Sequence, residues 1–199
     1  TGAAGLRAQA LATQLGLRRD GRRLTETLDS YQSKLLEAVA NNGQLDLAAL
    51  DSMQPWLASE FLTLSAANAA GLSADLSADE ALKSRAARAG KNVVYFETPE
   101  AQLRQIADLP EAVQLELLTD TMERFDDMDE RLAEIARDWV TGDVEALEAT
   151  LVAPLAGAPE GYVQSVLLDR NQHWAERLDR FMQGSGTGFV AIGTAHLLG

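Results

Sequence analysis

Along most of this chain apolar positions recur every third or fourth residue, the spacing of helices that bury one face. Leu24, Leu28, Tyr31, Leu35 and Val39 predict a helix over Leu24–Val39, stopped by Asn41-Asn42-Gly43. Leu45–Leu50 reads as a short turn of helix. Met53–Ala70 reads as a more apolar helix with Pro55 near its start, where a missing N–H costs nothing. Ser77 opens a helix ending near Gly90, with Glu80 completing a Ser-x-x-Glu capping box. Pro110–Val140 predicts the longest helix, striped by Leu118, Met122, Phe125, Met128, Leu132, Ile135 and Trp139 and ended by Gly142. A short helix over Asp143–Leu151 follows. The last helix is predicted over Pro159–Met182, with Val163, Leu167, Arg170, Trp174, Leu178 and Phe181 on its apolar stripe.

Two segments depart from this period. Val93–Glu97 and Phe189–Gly193 are continuous apolar runs rich in β-branched and aromatic residues, and both predict short strands buried on both faces. Thr98-Pro99 after the first run supplies a helix N-cap and first helical position. The expected fold class is therefore α+β: mostly helical, with a small mixed sheet covered by helices, in a single domain over residues 1–199.

Composition narrows the function. The formal net charge of −13 argues against a nucleic-acid partner, because phosphate contacts need clustered Lys and Arg. The one basic cluster, Arg18-Arg19 and Arg22-Arg23, reads as a solvated turn. Asp126, Asp127, Asp129, Glu130, Glu134 and Asp138 read as a solvated acidic face rather than a metal cluster. With no cysteine there is neither a disulfide nor a thiolate metal site. No membrane span and no signal peptide are visible.

Candidate chemistry gathers at the two strand ends. His196 follows Gly193 by three residues, among small side chains. Just beyond a strand a histidine serves as a metal ligand or a general base, or simply packs. Glu97 ends the other strand and is the most plausible carboxylate to stand beside it. His173, off the apolar stripe, reads as an ordinary half-exposed helix residue. Arg170 is the misfit on its stripe, and predicts burial against a carboxylate, either Glu97 or Asp79. No Gly-x-Ser-x-Gly elbow and no Gly-x-x-x-x-Gly-Lys-Ser/Thr loop occurs, so neither a serine triad nor a phosphate loop is expected.

Several segments, taken in order, resemble one family. They are Met53-Gln54-Pro55-Trp56; Gly71–Leu82 with Asp79 and then Ala89-Gly90-Lys91; and Phe96-Glu97-Thr98-Pro99-Glu100-Ala101-Gln102 followed by Leu109-Pro110. Trp139-Val140-Thr141-Gly142-Asp143, Arg170-Asn171 with Trp174, and Gly193-Thr194-Ala195-His196-Leu197 complete the set. The chain from about Leu24 to its end resembles the TraB/GumN family, which includes the Tiki metalloproteases and the pheromone-shutdown proteins. Phe96 and Tyr95 replace the family's usual Leu and Gly. The resemblance implies an extracytoplasmic, metal-dependent hydrolase, peptidase-like in the Tiki branch, acting on a peptide or protein. Its divalent metal would be bound partly by His196, with Glu97 and Arg170 in supporting catalytic roles and Gly193, Asn171, Gln102 and Asp79 as motif positions. The family pattern has a first Gly-x-x-His followed by a glutamate. Neither is found here, and they are expected upstream of Thr1. The chain alone is therefore not expected to hold the metal. The alternative is a non-catalytic module that binds or sequesters a peptide, as in the pheromone-shutdown branch.

Overall fold

The computed structural model describes residues 3–73 and 76–198. Its helices in chain order are α1 (Ala3–Gly16), α2 (Ser30–Asn42), α3 (Leu47–Asp51), α4 (Pro55–Ala69), α5 (Ala78–Arg88), α6 (Pro99–Ala107), α7 (Glu111–Glu123), α8 (Met128–Thr141), α9 (Val144–Leu151) and α10 (Asp169–Met182). Among the described residues there is no β-strand, only an isolated antiparallel bridge between Leu17 and Met53. The expected α+β class with a mixed sheet is therefore overturned in favour of an all-α fold. The residues group into two compact units, Thr1–Ala70 with Pro99–Ala133 and Gly71–Thr98 with Glu134–Gly199.

In the first unit, local signals set the helix ends. The Asp29 carboxylate accepts the Tyr31 and Gln32 N–H groups, and the Gln32 side chain accepts the Asp29 N–H in return, which closes the start of α2. The Asp46 side chain accepts the Ala48 N–H at the start of α3, and Pro55 stands at the start of α4. Gly16 lets α1 approach α4 closely, since a Cβ there would lie 2.5 Å from Leu57 Cδ2. The core is formed by Leu24, Leu36, Leu50, Leu62 and Leu118, all with no exposed surface, with Met122 and Ala58 beside them. Gln114 is the buried polar exception. Its Nε2 donates to the carbonyls of Ala107 and Leu109 at the end of α6, and its Oε1 accepts the Trp56 N–H. It thus pairs backbone groups that helix ends leave without partners.

The basic turn is only partly solvated. Arg19, Arg22 and Arg23 are exposed, but the Arg18 side chain is 3% exposed and its Nη2 donates to Asp20 and Glu111. The predicted helix over Pro110–Val140 is interrupted. Arg124 leaves α7, and Phe125–Asp127 forms a single 3₁₀ turn before α8 begins. Two consecutive aspartates favour helix poorly, and Asp126 accepts instead from the Asn42 side chain.

In the second unit, the Ser77 hydroxyl accepts the Glu80 N–H at the start of α5. The Glu80 carboxylate takes Lys83 instead of returning to the cap, so half of the expected capping box forms. Gly142 ends α8 with a φ of +73°, which glycine alone adopts without strain, and the Asp143 N–H closes back on the Asp138 carbonyl. The predicted last helix carries an interruption of its own. Gln164–Leu168 is a π-helical turn that shifts the register of α10 relative to what precedes it.

The two predicted strands are not strands. Val94, Tyr95 and Phe189 are 67%, 61% and 81% exposed. Among the described residues, the backbone of residues 92–95 and 189–192 pairs with no neighbouring strand. A strand is defined by pairing, and these runs have the propensity without the neighbour. Leu147 and Trp174 are the large apolar residues buried among the described residues of this unit. Trp174 is the one around which the polar residues collect.

Candidate functional site

Arg170, Asn171 and Trp174 lie within the first six residues of α10, directly after the π-helical turn. Turns of this kind concentrate at functional sites because the extra residue re-aims the side chains that follow. Three of them here point to partners outside the helix.

The Arg170 guanidinium meets Glu97 with both prongs. Nε donates to Oε1 and Nη2 to Oε2, each at 3.0 Å, and the two side chains are 16% and 13% exposed. Its Nη1 donates to the Val166 carbonyl within the π-helical turn. Trp174 Nε1 donates to the same Glu97 Oε1 at 3.2 Å, and the guanidinium lies 4.7 Å from the Trp174 ring centroid. Burial of charge is tolerated because each prong has a partner and the cation rests on an aromatic face.

Phe96 stacks on Trp174 with centroids 5.8 Å apart. The Phe96 carbonyl accepts from Arg177 Nη1 at 2.7 Å, and the Arg177 guanidinium also lies over the Phe96 ring. This second clamp was not anticipated. Arg177 lies seven residues after Arg170, close to two helical turns, so its sequence position was compatible with a shared face.

His196 closes the cluster. Gly193 leads into a 3₁₀ turn over Thr194–His196, and the His196 N–H returns to the Gly193 carbonyl. The imidazole lies against Trp174 with centroids 4.4 Å apart, and Nδ1 is 2.6 Å from Asn171 Oδ1. Burial, and then the nearby Arg170 charge, push the His196 pKa below its ordinary value, with Glu97 opposing. The histidine is accordingly neutral near pH 7.

Glu97, Arg170, Asn171 and His196 are thus brought together, although not at strand ends as expected. Of the two carboxylates considered for Arg170, Glu97 is the partner. Asp79 is exposed in the first turn of α5, apart from the Arg170 fork that Glu97 fills. Gln102 is exposed on α6 and belongs to the first unit. His173 is exposed on α10, as its position off the stripe implied.

Whether this chemistry fits a metal turns on the number of donors. A catalytic zinc site uses about three protein ligands. Among the described residues no three His, Asp or Glu side chains gather as a metal site. Both Glu97 oxygens already accept hydrogen bonds, from Arg170 and Trp174. Among the described residues His196 Nε2 has no hydrogen-bond partner, and it offers a metal one ligand atom. The cluster by itself does not fit a metal centre. No described helix is long and apolar enough to cross a membrane.

No curated protein and no solved structure matches the chain. The model of the TraB/PrgY/gumN family matches residues 3–199, and the chain belongs to that family.

Proposed function

We propose that the chain contributes to hydrolysis of peptide or amide bonds, with His196 as the group that accepts a proton from the attacking water. The observation that carries this reading is the setting of His196. A neutral imidazole is fixed between Trp174 and Asn171, with one ring nitrogen unengaged among the described residues. A general base needs that state at working pH. Glu97 and Arg170 serve as scaffold in this proposal, because their polar atoms already hold each other and Trp174. If a divalent metal takes part, His196 Nε2 supplies one ligand and the others come from outside this cluster. An extracytoplasmic location is proposed on family resemblance alone.

A second reading is favoured by the commitment of Glu97, the carboxylate whose charge acts on His196, to Arg170. In this reading the same surface binds a peptide without cleaving it. A quenched fluorogenic peptide library, run with and without added divalent ions, separates the two. Turnover by the wild-type chain that disappears in His196→Ala supports the hydrolase. Binding by fluorescence anisotropy with no turnover under any condition supports the sequestering module and overturns the hydrolase.

A further inference from the structure

We infer that Asn171 is a positioning residue that fixes the tautomer of His196, holding the proton on Nδ1 and leaving the Nε2 lone pair outward as the working atom. The inference rests on the hydrolase reading for its purpose, but its geometry stands alone. As the Asn171 amide is oriented, its Oδ1 faces the imidazole and can only accept, so the 2.6 Å contact points to a proton on His196 Nδ1. In a free neutral imidazole side chain the Nε2–H form prevails, so the protein has to impose the other one. Three further contacts hold the pair. Trp174 lies against the imidazole face, Arg170 next to Asn171 is tied to Glu97, and Glu97 accepts from Trp174. Asn171 and Trp174 are three positions apart on α10, so the amide and the indole approach the histidine from one helix face. A hydrogen-bond partner on one ring nitrogen determines what the other can do, whether that is taking a proton or ligating a metal.

The test is a long-range ¹H–¹⁵N NMR correlation spectrum of the imidazole in the full 199-residue chain, recorded above the His196 ionisation. His196 is assigned by its absence in His196→Gln, which also leaves His173 as an internal reference. Wild type should show a protonated Nδ1 and an unprotonated Nε2. Asn171→Leu should move His196 toward the Nε2–H form, while Asn171→Asp, which keeps an acceptor, should restore Nδ1–H. Circular dichroism establishes whether each variant folds. If Asn171→Leu does not fold, the wild-type and Asn171→Asp spectra still decide. An Nε2–H tautomer in wild type, or an unchanged tautomer in folded Asn171→Leu, overturns the inference. An absence of peptide turnover with the tautomer as stated would instead count against the hydrolase reading alone.

Discussion

Arg170 and Glu97 form a two-pronged ion pair, with both nitrogen–oxygen distances at 3.0 Å and both side chains largely out of water. Removing one partner of such a pair leaves the other charge without compensation. Arg170→Ala should therefore destabilise the chain by about 3 kcal/mol, the lower end of the range for fully buried pairs. Arg170→Lys should recover only part of this, because an ammonium cannot reproduce the fork. Urea midpoints check both values, and an Arg170→Ala midpoint equal to that of wild type would contradict the structural role.

The His196 pKa lies below its ordinary value of 6.5, so the unfolded chain takes up the proton first as pH falls. Stability should decline from about pH 6.5 down through the folded-state pKa, because the unfolded form binds more protons in that window. Above it the contribution is complete. In His196→Gln this part of the acid slope should be absent. Denaturation midpoints measured from pH 7.5 downward would show equal slopes in the two proteins if the histidine were solvated.

Gln114 pairs three backbone groups from inside the first unit. Gln114→Leu keeps much of the volume and removes all three partners. A loss of about 2 kcal/mol is expected, since buried polar groups left unpaired cost about 1–3 kcal/mol. Equilibrium denaturation reads the loss directly. A neutral or stabilising result would place the Ala107 and Leu109 carbonyls in water.

The two apolar runs expected as strands give a prediction about the fold itself. Val94→Ser and Phe189→Ser should each change stability by no more than about 0.5 kcal/mol, as surface substitutions do. A loss several times larger in thermal unfolding would return these residues to a buried sheet.

The helices were legible because their signals are local. Asn41-Asn42-Gly43, Pro55, Ser77 and Gly142 each act within one turn, and each marks a helix end within one or two residues. The interruptions were not legible, since the turn at Phe125 depends on Asn42 and the π-helical turn leaves no apolar signature. Val93–Glu97 and Phe189–Gly193 failed for a different reason. Composition records how well a residue suits a pleated surface, and pairing depends on a partner that composition does not contain. In the site, Arg170 was readable as a charge on an apolar stripe, and Glu97 was one of two partners considered. The Phe96 carbonyl's bond to Arg177 had no such mark, because any residue carries a backbone carbonyl.

The most direct measurement of the functional account is the pH profile of kcat/KM for peptide hydrolysis. The rate should rise with pH through one ionisation below the ordinary histidine value of 6.5 and level off near neutrality, since the neutral imidazole is the active form. His196→Gln should lower the rate by about a hundredfold or more and remove that ionisation from the profile. No hydrolysis at any pH, or a profile that His196→Gln leaves unchanged, would contradict the account.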